Sequence, residues 1–174
     1  MNRILSVIVN NKPGVLNRIT GLFLRKNFNI QSITVGPTEV EGLSRMTFVI
    51  KSEDSRIVEQ VMKQLHKQID VLKVSDITDS AVVARELVLI KVYSPAPQRA
   101  EVKHLIEPFR ASILDVGRET ITVEATGKSD KIEALIALLR PYGIKEMART
   151  GLTAFTREAD TVGEVAKINR NLVI

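Results

Sequence analysis

With 174 residues, 44% of them hydrophobic, the chain can build one ordinary domain or two small ones with real cores. It has no cysteine and only two histidines, His66 and His104, which excludes disulfides, thiolate or histidine-rich metal sites and a cysteine nucleophile. The 25 Lys and Arg exceed the 20 Asp and Glu by a formal +5, but acids are interspersed among them and there is no Trp, so the surplus reads as solvated surface, not a nucleic-acid footprint.

No apolar run approaches the roughly 20 residues that span a bilayer, and MNRILSVIVN lacks the pattern of a signal peptide, so a cytoplasmic chain is expected. The β-branched run Arg3 to Val9 predicts a strand. After the turn NNKPG, the residues Val15, Leu16, Ile19, Leu22 and Phe23 recur at helical spacing and predict an amphipathic helix from Val15 to about Lys26, ended by Asn27 and Asn29. IQSITVGP and LSRMTFVI alternate as two strands joined by a turn at EVEG. Asp54 or Ser55 caps a second helix with inner face Ile57, Val58, Val61, Met62 and Leu65, and Val71 to Ile77 closes the unit as a strand.

The same order then repeats. RELVLIKVY is a strand, and Val102, Leu105, Ile106 and Phe109 mark a helical face after Pro97. ASILDVG and TITVEAT form a hairpin, Asp130 with Glu133 suggests a capping box for a helix on Ile132, Leu135, Ile136 and Leu139, and IKEMART closes the copy. Two βαββαβ passes predict an α+β protein of two ferredoxin-like modules in tandem: residues 1–78, a linker at 79–84, and residues 85–157, followed by a tail at 158–174.

Within this frame NNKPG is the first strand-to-helix turn. Gly14 permits close approach to the backbone, Pro13 has no amide to waste, and the free amides of the following helix start suit a carboxylate or phosphate; a plain helix start is the competing reading. The second strand is expected to begin at the same edge, bringing Asn29, Ile30 and Gln31 near such a ligand, within one chain or across a symmetric contact. The equivalent second turn, SPAPQRA, has no glycine and is expected to be a structural copy without a site. No nucleophile elbow, phosphate-cradling loop or carboxylate pair is present, so the chain reads as a binder, not an enzyme.

NKPGVLNRITGLF, followed by NIQSITVGPTE, LSRMTFVI, KQLHKQIDVLKV, RELVLIKV, IEPFRASILDV and RPYGIKEMARTG, resembles the small regulatory subunits of acetolactate synthase, over nearly the whole chain except its tail. The resemblance implies an ACT domain followed by an ACT-like domain. It also implies a large catalytic partner that carries thiamine diphosphate, Mg2+ and FAD, with no cofactor in this chain. That enzyme condenses pyruvate with pyruvate or 2-oxobutyrate toward branched-chain amino acids; the small subunit raises its activity and confers feedback inhibition, typically by valine. ACT domains pair as homodimers with the effector between protomers. Carried over, Asn11, Lys12, Pro13, Gly14, Val15 and Leu16 come from one chain and Asn29, Ile30 and Gln31 from the other, with Val15, Leu16 and Ile30 as the apolar wall. The alternatives are an acylphosphatase-like hydrolase, which needs an arginine in the first turn, an RNA-recognition module, which needs aromatics where LSRMTFVI has only Phe48, and an ACT amino-acid sensor of another pathway.

Overall fold

The computed structural model describes residues 2–157 except Asn27 and Glu53, so the expected tail at 158–174 and the role of Asn27 lie outside the described residues. The chain forms two compact units, 84–151 and the remainder on either side of it.

In the first unit, β1 (Asn2–Asn10) leads to α1 (Val15–Arg25), β2 (Ile30–Pro37), β3 (Leu43–Lys51), α2 (Ser55–His66) and β4 (Val71–Asp76). The strands form an antiparallel sheet in the order β2-β3-β1-β4. Alternation sends Leu5, Val7 and Val9 of β1 and Met46, Phe48 and Ile50 of β3 into a core shared with Val15, Ile19, Leu22 and Phe23 of α1 and Val58, Val61 and Leu65 of α2. The Phe23 and Phe48 rings stack at 4.9 Å, and Phe28 meets Phe23 edge-on at 6.5 Å. Asp54 caps α2 by accepting from the Arg56 amide at 2.9 Å.

Both β1 and β2 are antiparallel to β3, so they run parallel to each other. Asn10 ends β1 opposite Leu43, whereas Ile30 opens β2 opposite Ile50. At the rise of an extended strand those two rows lie roughly 20 Å apart. The expectation that β2 begins at the edge where the first turn ends is therefore corrected: a helix returning along the sheet separates the two by the length of β3.

The second unit repeats the plan with β5 (Val82–Tyr93), α3 (Arg99–Ile106), β6 (Ser112–Val116), β7 (Thr120–Gly127), α4 (Ser129–Leu139) and β8 (Ile144–Arg149), ordered β6-β7-β5-β8. Its core joins Val88, Ile90 and Val92 to Ile121, Val123, Val102, Ile106, Ile132 and Leu135. Glu86 is buried and pairs with Arg149 at 2.5 Å, while Arg149 also reaches Glu133 at 2.5 Å. These hydrogen bonds hold the Arg149 guanidinium above its ordinary pKa.

Three local expectations differ from the structure. Leu16 and Ile57 are 45% and 37% exposed, because each sits on the flank of its helix outside the buried arc. Asp130 and Glu133 form no capping box: α4 starts one residue before Asp130, its N-cap is Lys128, and no side chain caps it. The helix expected after Pro97 is α3, which follows the 3₁₀ turn Ala96–Gln98, but Phe109, placed on its face, lies in a separate 3₁₀ turn, Glu107–Phe109. After Gly151 the chain lies with the first unit, and its last described strand pairs with β5. Strand β9 (Thr153–Thr156) follows the point where Thr34 Oγ1 donates to the Leu152 carbonyl at 2.8 Å, and the Arg157 amide donates to Ala81 at 2.7 Å. Phe155 and Thr156 line a small recess with Ser6, Ile8, Arg45 and Ser75, on the sheet face away from the helices.

Phe48 has no exposed surface and stacks on Phe23. Phe48→Ala is expected to destabilise the first unit by about 4 kcal/mol, read from urea denaturation of the full chain.

Candidate functional site

The first turn is built by the arrest of β1 against a second loop. Asn10 donates its amide to the Asp70 carbonyl at 2.9 Å, and Asn11 donates its own to Gly42 at 2.8 Å. Lys12 then folds back onto Asn10 at 3.0 Å, and Gly14 takes φ 82°, the left-handed conformation in which an L side chain is strained. From there α1 starts without a side-chain cap. The amides of Gly14, Leu16 and Asn17 have no acceptor among the described residues. These bared donors, at the positive end of an 11-residue helix, are arranged for an anionic group.

Asn11, Lys12, Pro13, Gly14 and Leu16 are all exposed around this turn. Val15 is not: it is 3% exposed and its side chain belongs to the core, which leaves only its backbone to a ligand. Its amide is itself turned to the Lys12 carbonyl at 3.4 Å. Leu16, displaced from the core, is the apolar side chain beside the bared amides. Asn29 and Gln31 are exposed and Ile30 is half-buried against the core, at the far end of the sheet. One chain thus brings together the turn residues but not the two halves of the expected site.

Two residues that the sequence reading did not place hold the turn. Asp70, 8% exposed just before β4, receives an ion pair from Arg18 and a long hydrogen bond, 3.4 Å, from Asn10 Nδ2. Arg18 stands one helical turn beyond Gly14, with Nη1 3.5 Å from where a Cβ on that glycine would lie. No local signal in the sequence marks Asp70, whose partners Asn10 and Arg18 lie more than 50 positions away. This pairing also weakens the hydrolase alternative, because the nearest guanidinium is engaged by a carboxylate. Phe48, the aromatic an RNA-binding sheet would expose, is fully buried against the helices.

The second turn is closed. The Ser94 amide donates to Glu119 at 2.8 Å, and Arg99 Nη2 donates to the carbonyls of Gly117 and Arg118 at 2.5 and 2.8 Å. A guanidinium sealing carbonyls replaces the exposed amides of the first turn. Among the described residues no cluster of His, Cys, Asp or Glu is arranged to hold a metal, and no helix is long and apolar enough to cross a membrane.

Residues 5–73 match the family described as the AHAS small subunit-like ACT domain, and residues 85–158 match the small subunit of acetolactate synthase. The acetolactate synthase small subunit of Bacillus subtilis is 61% identical over 157 residues, covering 90% of this chain and 91% of that protein. The chain belongs to the acetolactate synthase small-subunit family. A probable acetolactate synthase small subunit of Archaeoglobus fulgidus is 53% identical over 157 residues, spanning 90% of this chain and 98% of that one. The crystal structure of the Thermotoga maritima acetolactate synthase small subunit superposes with a TM-score of 0.83 at 41% identity, over 91% of this chain and 99% of its own. A small subunit of a named synthase implies a catalytic partner, and the ACT-type fold of the first unit follows from the family match over residues 5–73.

The turn conformation itself is testable. Gly14→Ala places a Cβ on a left-handed residue and is expected to cost about 1 kcal/mol of stability in urea denaturation, with the fold retained.

Proposed function

We propose that this chain is the noncatalytic regulatory subunit that binds a branched-chain amino acid, L-valine foremost, raises the activity of the acetolactate synthase catalytic subunit and makes it responsive to that amino acid. The observation that carries the reading is the start of α1, where among the described residues the Gly14, Leu16 and Asn17 amides have no acceptor beside Leu16's exposed side chain. A zwitterion fits: the amides and Asn11 take its carboxylate, Asn29 takes its ammonium, and Leu16 and Ile30 meet a branched side chain. Such a wall separates ligands differing by one methylene by only about 1–3 kcal/mol, so leucine and isoleucine compete.

The site is completed by a second copy of the chain. β2 is an edge strand with one neighbour, β3, among the described strands, and Val35 on it is 47% exposed. Antiparallel pairing of β2 with its copy brings the partner's β2 start to the Pro37 end, the end of the sheet at which β1 delivers the Pro-Gly turn. A two-fold axis thereby closes the roughly 20 Å gap that one chain leaves open. Each dimer then holds two equivalent sites, and ligand binding biases the packing of the pair, which is the route to the partner enzyme. Thiamine diphosphate, Mg2+ and FAD belong to the catalytic subunit on this reading, and the complex works in the cytoplasm.

The experiment is calorimetric titration of the full chain with L-valine, with D-valine as control, followed by assay of the reconstituted synthase. Stereoselective saturation and valine-sensitive activation are expected. No heat from the isolated chain, together with valine-insensitive activity of the complex, would remove the effector reading.

Gly14→Asp and Asn29→Ala are each expected to abolish or weaken L-valine binding while leaving the fold intact. Mixing the two variants distinguishes a shared site from a one-chain site: in a mixed dimer one site collects both lesions and the other collects none. Recovery of valine binding on mixing and refolding is expected, and its failure would place the two segments in separate sites.

A further inference from the structure

Four cations converge on one concavity of the second unit, an open pocket of ≈ 400 Å³ lined by Arg85, Arg110, Lys128 and Lys131. They arrive from separate elements. Arg85 lies on β5, Arg110 follows the 3₁₀ turn Glu107–Phe109, and Lys128 and Lys131 flank the start of α4. They therefore face a hollow and do not form a stripe along one helix. Among the described residues none of the four makes an ion pair, in contrast with Arg3, Arg18 and Arg149, each of which meets a carboxylate. Asp130 is the single acid in the lining, and its Oδ1 is taken up by the Lys131 amide at 2.8 Å. Arg85 Nη1 and Lys131 Nζ each donate to one carbonyl, Ala84 and Thr126, at 2.7 and 2.8 Å, which fixes their heads at the wall with further donors to spare. The Lys131 stem lies so tightly across Gly127 that a Cβ there would stand 2.5 Å from its Cδ.

Helix dipoles do not account for this grouping. The other basic groove, lined by Lys26, Lys63, His66 and Lys67, gathers at the C-terminal ends of α1 and α2, where cations are stabilised by the helices themselves. The pocket at the start of α4 has the opposite polarity: its cations repel one another and the helix end, and a bound anion relieves both. A concave site with several convergent donors fits a compact, multiply charged oxyanion better than a flat acidic surface.

We propose that this pocket of the second unit binds a small multivalent oxyanion of the phosphate class through Arg85, Arg110, Lys128 and Lys131. The site is separate from the first turn and does not rest on the amino-acid reading.

The test is calorimetric titration of the full chain with inorganic pyrophosphate at low ionic strength, with glutarate as the carboxylate counterpart. Saturation near one pyrophosphate per chain is expected, weakened about tenfold or more by Arg110→Gln and by Lys128→Gln, two exposed positions whose variants are checked for folding by circular dichroism. Lys63→Gln, in the other basic groove, is expected to leave the affinity unchanged. Absence of saturable heat up to about 5 mM pyrophosphate overturns the proposal. So does an equal loss in Lys63→Gln, which marks diffuse charge, or glutarate binding as tightly as pyrophosphate, which marks a carboxylate site.

Discussion

The proposed effector site of the first unit turns on a constraint of strand direction. Because β1 and β2 are both antiparallel to β3, the end of one and the beginning of the other sit at opposite ends of the sheet, and no side-chain rearrangement within a chain can join them. A parallel pair connected by a helix always carries this separation, since the helix must travel back before the second strand can start. A two-segment ligand site on such a frame is therefore a matter of assembly. On the proposed reading, the open β2 edge would supply the means, and the reversal of direction across a two-fold axis would supply the geometry.

The two modules give one topology two differently exposed first turns. In the first, a glycine at φ 82° lets the chain enter α1 with its amides bare, and the Arg18–Asp70 pair keeps the entry in place. In the second, the turn carries prolines, the helix starts later, and Arg99 uses its guanidinium to fasten the β6–β7 turn. The amide of Ser94 is consumed in the same closure. The fold is conserved between the two copies while the polarity of the exposed groups is inverted: bare donors in one, covered carbonyls in the other.

Much of this was legible in the residues. Period-two and helical spacing located each strand and helix of both modules, since burial on a single face enforces those repeats. Asp54 was readable as a cap because its side chain acts on a neighbour two places away. The misreadings arose where local pattern carries no long-range information. Leu16 has the right spacing for the core yet lies on the rim, and Asp130 has the right spacing for a capping box yet lies inside the helix. Asp70 could not be assigned its role because its partners Asn10 and Arg18 are more than 50 positions away in sequence. The placement of Asn29 failed for a different reason: the element order was right, but its strand directions were not followed through to the ends of the sheet.

Residues 152–157 fall with the first unit, and β9 pairs with β5. Ser6, Ile8 and Thr47, on the sheet face away from the helices, are 6%, 2% and 1% exposed, and Phe155 and Thr156 share a recess with the first two. A chain cut after the first βαββαβ pass would possess every strand and helix of that module and still lack the segment beside this face. Ser6 and Arg45, bonded to each other at 3.0 Å on that face, would then meet water, while Ile8 would keep its packing against Leu43, Val40 and Leu72. A cut placed by secondary-structure order alone would thus leave part of that polar face bare, whereas a loop joining Val83 directly to Leu152 would keep Phe155 and Thr156 beside it.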